Sequence, residues 1–338
     1  MANKIRLALD AAEQLARRAL VASGASDAAA AASTACALVR AEADGQAGHG
    51  LSRVPAYCAQ VRSGKIKGGA KPHLTRIAPG AARIDAGLGF AYPAIDLAID
   101  TLTTMAREQA VAAVTIQHSH HFGQAGAHVE RIASAGLLAL MFGNTPKAMA
   151  FWGGNSPMLG TNPLAFAAPL PAPHSAPLVI DLALSVVARG KIVAAQKTGQ
   201  AIPADWARGP DGQPTTDPTT ALAGTLAPLG GAKGGALALM VEILGAALTA
   251  SSFGWEASSF FDAAGSPPDM GHLLIALDPG KFSGGAFPAR MQTLCAAMAA
   301  DPGVRLPGSR RLKSREQAQR EGLLVDESLL AEIRALHG

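Results

Sequence analysis

Short apolar segments alternate with helix-forming segments through the middle of this 338-residue chain, and the alternation limits the folds available to it. The runs "VAAVTIQ" (111–117) and "LLALMFGN" (137–144) have the length of buried strands, and "AHVERIASAG" (127–136) between them has helical spacing. The stretch "HLTRIAPGAARIDA" (73–86) predicts two short strands joined by a Pro-Gly turn. Helices that alternate with buried strands indicate an α/β domain built on a sheet.

The same reading predicts the remaining elements. Strands are expected at 163–170, 177–184 and 272–279, and helices at 5–22, 26–43, 92–109, 312–322 and 325–336. Ser26 is expected to cap the second helix, and a third helix should run from His49 towards Gly64. The Pro- and Gly-rich segment 199–227 is interpreted as a long surface loop, and 234–250 as a buried helix behind a Gly-rich entry.

These elements divide the chain into three segments. Residues 1–75 are interpreted as an N-terminal helical segment on the substrate side, and residues 76–290 as the α/β domain that contains the long loop. Residues 291–338 are interpreted as a C-terminal helical segment that returns to the N-terminal region.

Composition excludes several classes of function. The net charge of +4 comes from scattered Lys and Arg, so the chain lacks the basic patch that nucleic-acid binding requires. The most apolar run, 234–250, contains Glu242 and is shorter than the roughly 20 residues that span a bilayer. Three cysteines without a CxxC spacing indicate a reducing compartment. We therefore expect a cytoplasmic protein that binds neither membrane nor nucleic acid.

The stretch "GHGLSRVPAY" (48–57) contains the strongest candidates for chemistry. If a helix begins near His49, then His49, Arg53 and Tyr57 share one face. A histidine can act as a general acid near neutral pH, and an arginine can bind a carboxylate through two hydrogen bonds. The pair suits a substrate with a carboxylate next to a reducible carbon, although a capping histidine beside an exposed arginine has the same spacing.

A second histidine cluster follows a predicted strand. The stretch "QHSHHFGQAGAH" (117–128) could bind a metal ion, but its histidines alternate between the two sides of a strand and no Cys or pair of carboxylates is near. A loop at the end of a strand in an α/β domain more often binds a cofactor or a substrate. No metal site is therefore expected, and polar loop histidines remain the alternative.

Three weaker signals complete the list of motifs. No G-x-G-x-x-G joins a strand to a helix, so an ordinary dinucleotide fold is not predicted, although "GGAKGG" (230–235) could wrap a phosphate or simply lead into a helix. Thr161 and Asn162 lie at a turn that could meet a substrate or form an Asx turn. Asp181, at a strand end, could orient an imidazole or cap a helix.

The order of these motifs resembles the malate/L-lactate dehydrogenase family, which is distinct from the Rossmann lactate and malate dehydrogenases. The blocks that carry the resemblance are "DGQAGHGLSRVPAY", "HSHHFGQAG", "FGNTPKAM…WGGNSPMLGTNPLAFAAP", "DLALSVVARGK", "GGAKGGALALMVEIL" and "VRLPGSRR". They span about residues 5 to 330. The form of the first block is most similar to that of the Δ1-piperideine-2-carboxylate/Δ1-pyrroline-2-carboxylate reductases.

The resemblance implies a non-Rossmann NAD(P)-binding sheet domain with flanking helical segments, and a homodimer that uses NADPH or NADH on a small carboxylate substrate. It implies His49 as proton donor with Asp181 also in the catalytic set, and substrate contacts at Arg53, Thr161, Arg189 and Gly190. The positions that match cofactor contacts are His121, Phe122, Gly123, Gln124, Ala125, Thr145, Asp181, Leu182, Ala183, Lys233, Leu306, Pro307 and Gly308.

Two departures from the family pattern leave three functions open. Gly48 stands where the family usually has a serine, and Lys191 is more typical of the hydroxyacid branch. The first hypothesis is an NAD(P)H-dependent reductase of a cyclic imine, in which hydride reaches C2 and His49 supplies the proton. The second is an NAD-dependent 2-hydroxyacid dehydrogenase. The third, prompted by Gly48, is a dinucleotide-binding relative without activity.

Overall fold

The computed structural model describes residues 3–172 and 176–337. The strands are β1 Lys4–Leu7, β2 His73–Ala78, β3 Ala81–Asp85, β4 Val111–Ser119, β5 Leu138–Gly143, β6 Leu164–Ala168, β7 Leu178–Leu182, β8 Ala207–Arg208, β9 Thr225–Leu226, β10 Met270–Leu277 and β11 Leu323–Asp326. The helices are α1 Leu9–Ala22, α2 Ala28–Ala43, α3 Val54–Arg62, α4 Ala91–Gln109, α5 Ala125–Ser134, α6 Arg189–Thr198, α7 Pro218–Ala223, α8 Ala232–Glu242, α9 Pro279–Ser283, α10 Phe287–Ala300, α11 Ser309–Glu321 and α12 Glu327–Ala335.

A seven-stranded sheet forms the centre of the fold, in the order β2-β3-β4-β10-β5-β6-β7. The β3–β4 pair is parallel, and the other neighbouring pairs are antiparallel. A Rossmann sheet is parallel and wound in a different order. The expectation of an α/β fold with a non-Rossmann sheet is therefore confirmed.

Successive side chains of each strand point to opposite faces of the sheet. Both faces therefore carry apolar side chains, and helices cover them. Ala112, Val114 and Ile116 of β4 pack with α4 and α5 in an aliphatic core on one face. On the other face, Leu273 and its neighbours pack against residues of α6, α7 and α8. The loops at the strand ends, where the candidate site residues lie, are thus held by two packed layers.

The N- and C-terminal segments pack together in a separate cluster. β1 pairs with β11 in antiparallel register, Lys4 opposite Asp326, and residues of α1, α2, α3 and α12 share one core. The prediction of a single helix over 5–22 is wrong at its start, because β1 pairs with a strand more than 300 residues away along the chain. The predicted Ser26 cap is also wrong, because Asp27 accepts the hydrogen bond from Ala29 N at 2.9 Å.

A buried cluster of ions attaches α11 to the rest of the fold. The guanidinium of Arg311 donates two hydrogen bonds to Glu130, at 2.7 and 3.1 Å. Arg315 contacts both Glu130 and Asp44. Hydrogen bonds from these arginines hold the pKa of Glu130 at about 2, against the opposing effect of its burial.

Two further expectations need correction. Segment 199–227 is not only a surface loop, because it contains α7 and the β8–β9 pair and buries Ile202, Ala207, Ala221 and Leu226. The helix predicted at 234–250 is α8 followed by a π-helical turn at 243–247, and one of its faces is exposed. The predicted boundary at residue 290 falls inside α10 and stays a prediction. In the described ranges, no helix combines the length and the apolar character needed to cross a membrane.

Candidate active site

His49 lies on an irregular turn rather than on the helix predicted from the sequence. The chain forms two 3₁₀ turns, Ala47–His49 and Leu51–Arg53, before α3 begins at Val54. Gly50 separates the turns, and a Cβ there would lie 2.1 Å from Glu42 Oε2. That oxygen accepts a hydrogen bond from Leu51 N at 2.9 Å, so the carboxylate of α2 fixes the turn. The predicted shared helical face of His49, Arg53 and Tyr57 is therefore wrong in its geometry.

The same turn nevertheless places His49 in a chain of hydrogen bonds. His49 Nδ1 lies 3.1 Å from His121 Nε2, and His121 Nδ1 lies 2.6 Å from the hydroxyl of Tyr57. The Tyr57 hydroxyl is in turn 3.1 Å from that of Tyr92. The imidazole rings of His49 and His121 stack with centroids 5.2 Å apart. In the described part of the chain, Nε2 of His49 has no hydrogen-bond partner.

When the Tyr57 hydroxyl is the donor at one end of this chain, the proton of His49 lies on its outer nitrogen. Burial raises the pKa of Tyr57 to about 12, so its hydroxyl keeps its proton. When Tyr57 donates to Nδ1 of His121, the proton of His121 must lie on Nε2 and point to His49 Nδ1. His49 then carries its own proton on Nε2, the nitrogen without a protein partner.

The charged side chains that shift the pKa values of these histidines are cationic. Burial, and then Arg53, lower the pKa of His49 to about 4. Burial lowers the pKa of His120 to about 3, with smaller contributions from Lys65 and Arg53. The pKa of His121 is also far below its ordinary value, because of its burial and the same Arg53. The cluster is therefore neutral at pH 7 and lies in a field that attracts anions.

Arg53 is held by its inner nitrogen and leaves its outer nitrogens available. Nε donates to Gly48 O at 2.7 Å, and the guanidinium carbon lies 4.6 Å from the centre of the Phe261 ring. The two Nη atoms make no hydrogen bond within the described residues. A guanidinium fixed in this way presents the pair of donors that binds a carboxylate side-on. Gly48 thus contributes its carbonyl, and a Cβ at that position would meet no atom within 4 Å.

The loop between β4 and α5 contains His121, Phe122, Gly123 and Gln124, and Ala125 is the first residue of α5; all five are buried. Gly123 has φ +70°, and its position permits the close approach of the Tyr92 ring. Both polar atoms of the Gln124 side chain are buried and lack a partner within the described ranges. A buried amide without a partner is costly, and binding of a ligand would satisfy it.

The other histidines of this stretch have separate partners. His118 Nδ1 lies 2.9 Å from Asp269, and His128 Nε2 lies 2.8 Å from Phe122 O. Both ring nitrogens of His120 are buried without a partner among the described residues. No set of three or more His, Cys, Asp or Glu side chains in ranges 3–172 and 176–337 could hold a metal ion.

Asp181 caps a helix, which is one of the two roles that the sequence left open for it. Its Oδ2 accepts a hydrogen bond from Gly126 N at 2.7 Å, in the first turn of α5, and it contacts no imidazole of the described chain. Of the two alternatives for Asp181, the described residues therefore favour the helix cap, and its place in the catalytic set stays a prediction. Leu182 and Ala183 are exposed beside it, and Arg189 donates to Leu222 O at 3.0 Å while Gly190 is exposed. Contacts of these residues with cofactor or substrate stay predictions.

Thr145 and Thr161 come together in a network that the sequence did not reveal. Thr161 N donates to Thr145 Oγ1 at 2.9 Å, and Asn162 Oδ1 accepts from Thr145 N. Asn162 Nδ2 donates to Glu242 Oε2 at 2.7 Å, and Gly254 N donates to Oε1 of the same residue at 2.6 Å. In the sequence, the sign of this network was Glu242, a single carboxylate within the apolar run 234–250.

The remaining predicted cofactor residues lie at two helix starts. Lys233 is exposed in the first turn of α8, behind Gly230 and Gly231, both of which have positive φ. Leu306, Pro307 and Gly308 precede α11 and line a cavity of about 340 Å³ together with Gly303, Arg305, Ser309 and Arg310. A Cβ on Gly308 would be 3.4 Å from Val179 O, so this turn borders the strand that contains Asp181.

These features fit a dinucleotide. The unpartnered amide of Gln124 and the exposed backbone beside Asp181 offer hydrogen bonds, and the arginines of the cavity suit phosphate groups. Sequence reasoning missed Tyr92, Lys65, Phe260 and Glu242 as part of this region. Their proximity arises from contacts between distant segments.

Comparison with known proteins places the chain among oxidoreductases. The pattern of the family described as Malate/L-lactate dehydrogenase matches residues 7–334. The chain is 50% identical to (2R)-3-sulfolactate dehydrogenase (NADP(+)) of Chromohalobacter salexigens over 302 residues, 89% of each chain. It is 41% identical to Delta(1)-pyrroline-2-carboxylate reductase of Ancylobacter novellus, over 99% of this chain and 98% of that one. The crystal structure of delta1-piperideine-2-carboxylate reductase from Pseudomonas syringae pv. tomato superposes with a TM-score of 0.92 at 35% identity, and covers 98% of this chain and 99% of that one.

Proposed function

Because the chain belongs to the malate/L-lactate dehydrogenase family, we propose that it transfers hydride between NADPH or NADH and C2 of a small carboxylate substrate. It is an NAD(P)-dependent oxidoreductase, so the alternative of an inactive relative is set aside. One observation carries the mechanism. The hydrogen-bonded chain from Tyr57 through His121 engages Nδ1 of His49 and leaves its Nε2 open to a substrate, next to an arginine with free donors.

In the direction of reduction, a bound NADPH or NADH would supply the hydride that C2 accepts. Arg53 binds the carboxylate through its Nη atoms and holds the neighbouring carbon in place. His49, protonated on both ring nitrogens once the substrate carboxylate is bound, gives one proton to the oxygen or nitrogen attached to C2 and returns to the neutral imidazole, so the double bond becomes a single bond. General acid catalysis of this kind contributes about 10²–10⁴-fold. The substrate carboxylate also offsets the charge of Arg53, one of the two causes that lower the pKa of His49, and so favours the proton on the imidazole.

The charge of the site favours a substrate with two anionic groups. The charged groups that act on His49, His120 and His121 are cationic, and a cyclic imine would bring a nitrogen that is positive when protonated. A 2-oxo acid with a second anion, such as 3-sulfopyruvate, suits this field. The relative named (2R)-3-sulfolactate dehydrogenase, at 50% identity, supports the same choice.

A cyclic imine is the second candidate. Relatives named Δ1-pyrroline-2-carboxylate reductase, at 41% identity, and Δ1-pyrroline-2-carboxylate/Δ1-piperideine-2-carboxylate reductase, at 42%, favour it. The chemistry at C2 is the same, and His49 would protonate the ring nitrogen. The uncharged imine fits the neutral histidine cluster, whereas its protonated form does not.

A substrate panel separates the two candidates. Oxidation of NADPH and of NADH is followed with 3-sulfopyruvate, oxaloacetate, pyruvate and Δ1-pyrroline-2-carboxylate. We expect kcat/KM to be at least tenfold higher for 3-sulfopyruvate than for pyruvate and the imine. A fastest reaction with the imine would refute the dianionic substrate and support the second candidate. No reaction with any of the four would refute the proposed chemistry.

We also propose a homodimer, supported by an exposed apolar face on α8 and the turn after it. Leu237, Leu239, Met240, Ile243 and Leu248 are 38% to 55% exposed there. A contiguous apolar patch of this kind marks a protein interface. Light scattering should give a dimer for the wild type and a monomer for Ile243→Glu; a wild-type monomer would contradict the proposal.

A cytoplasmic location is proposed as well. Cys36, Cys58 and Cys295 are all free thiols, as expected in a reducing compartment. Cell fractionation should recover the protein with cytoplasmic markers, and recovery with secreted proteins would contradict the location.

A further inference from the structure

A fully buried lysine, Lys65, lies behind the histidine cluster, and its ammonium group donates hydrogen bonds to backbone carbonyls. Lys65 is 1% exposed, although lysine is almost never buried unless it is paired. Its Nζ donates to Ser259 O at 2.7 Å, to Asp262 O at 3.0 Å and to Ala264 O at 2.7 Å. These three bonds use all three protons of the ammonium. The Asp262 carboxylate, 3.3 Å from Nζ, adds an ion pair in which only the aspartate is exposed.

A second buried side chain binds the same stretch. Gln60, on α3, is completely buried, and its Nε2 donates to Phe260 O at 3.1 Å and to Asp262 O at 2.9 Å. Residues 259–264, called here the covering segment, are therefore held to α3 and the turn after it by five hydrogen bonds to backbone carbonyls. The same α3 follows directly after Arg53.

The covering segment forms one wall of the candidate active site. The Phe260 ring is buried and lies 5.1 Å from the ring of His121 and 5.3 Å from that of His120, between centroids. The next residue, Phe261, is exposed and supports the guanidinium of Arg53. The position of this one segment thus sets both the apolar surface against the imidazoles and the orientation of the carboxylate-binding arginine.

We propose that Lys65 is a positioning residue of the substrate site, which it shapes by holding the covering segment against the histidines. The inference rests on the proposed function in one respect, that Arg53 binds the substrate carboxylate. Loss of the Lys65 donors leaves the carbonyls of Ser259 and Ala264 without partners and Asp262 O with Gln60 alone, and water can satisfy the two freed carbonyls only if the segment moves outwards. Phe261 then moves away from Arg53, and Phe260 no longer excludes water from His121.

The expected consequence is a selective loss of substrate affinity. Lys65→Met keeps the apolar stem of the side chain and removes its donors. We expect the KM for the substrate to rise at least tenfold, while the Kd for the cofactor stays within twofold of wild type. A purely structural role would instead weaken both affinities together through unfolding.

Lys67→Met is the matched control, since Lys67 is exposed two residues further on and its side chain has no partner in the described ranges. It should behave as wild type in both affinities. Phe261→Ala provides a second test, because it removes only an exposed ring and does not threaten folding. It should raise the substrate KM at least threefold with the cofactor Kd unchanged.

Hydrogen–deuterium exchange of residues 259–264 tests the positioning role without any turnover. Lys65→Met should increase exchange there and Lys67→Met should not, whichever substrate the enzyme accepts. Unchanged exchange, or a folded Lys65→Met variant with a wild-type substrate KM, would overturn the inference. If Lys65→Met does not fold, a wild-type KM in Phe261→Ala would overturn it. Failure of the wild-type enzyme on every substrate, with exchange altered as expected, would refute the proposed function alone.

Discussion

Replacement of the buried His128 by glutamine should reduce the loss of stability in acid. Burial lowers the pKa of His128 to about 4, although its hydrogen bond to Phe122 O acts in the other direction. An unfolded chain has a histidine pKa of about 6.5, so at pH 5 it binds a proton that the folded protein does not. The assay pH of 5 lies about 1.5 units below the pKa of the unfolded chain. At about 1.36 kcal/mol per unit, protonation of the unfolded chain therefore lowers the free energy of unfolding by about 2 kcal/mol at pH 5.

Urea unfolding at pH 8 and at pH 5 measures this effect as a difference of differences. The glutamine amide can still donate to Phe122 O, so His128→Gln should lose about 2 kcal/mol less than wild type between the two pH values. Groups that titrate equally in both proteins cancel in this comparison. His73→Gln, at an exposed position of β2, is the control and should lose as much as wild type. Equal losses in His128→Gln and wild type would refute the neutral, buried histidine.

Three other substitutions test separate parts of the account. Arg311→Met removes two hydrogen bonds to the buried Glu130, which keeps Arg315, and should lower the free energy of unfolding by about 1–3 kcal/mol in urea; a change below about 0.5 kcal/mol would contradict a stabilising role. Glu242→Gln places an N–H against the donors of Asn162 or Gly254 and should cost about 1–3 kcal/mol in the same assay. Unaltered stability would mean that this carboxyl group is already protonated. Arg53→Lys cannot bind a carboxylate side-on and should lower kcat/KM about 10- to 100-fold with the cofactor Kd unchanged. A wild-type kcat/KM would remove Arg53 from substrate binding.

Local patterns predicted the elements of the sheet domain but not their arrangement. β2 and β3, joined by Pro-Gly, and the helix α4 follow from short-range periodicity and turn chemistry. The insertion of β10 between β4 and β5 depends on pairing across more than 100 residues, which no local pattern contains. The pairing of β1 with β11 is hidden for the same reason.

In the candidate site too, the sequence identified individual residues but not the contacts between distant segments. The spacing in "GHGLSRVPAY" identified His49 and Arg53, because their side-chain chemistry is apparent without a fold. The contact of His49 with His121 joins two segments 72 residues apart, and it replaced the shared helical face that the spacing had suggested. The roles of Lys65 and Glu242 could not be assigned from the sequence, since the Ser259 carbonyl that Lys65 binds and the Asn162 amide that Glu242 binds lie far away along the chain.

The most direct measurement of the central claim compares His49→Ala with wild type in cofactor binding and in turnover. We expect the Kd for NADPH, from quenching of protein fluorescence, to stay within about twofold of wild type. We also expect kcat with the preferred substrate of the panel to fall by about 10²–10⁴-fold, because the proton donor is lost while Arg53 and the cofactor contacts remain. Turnover at the wild-type rate in a folded His49→Ala protein would contradict the account.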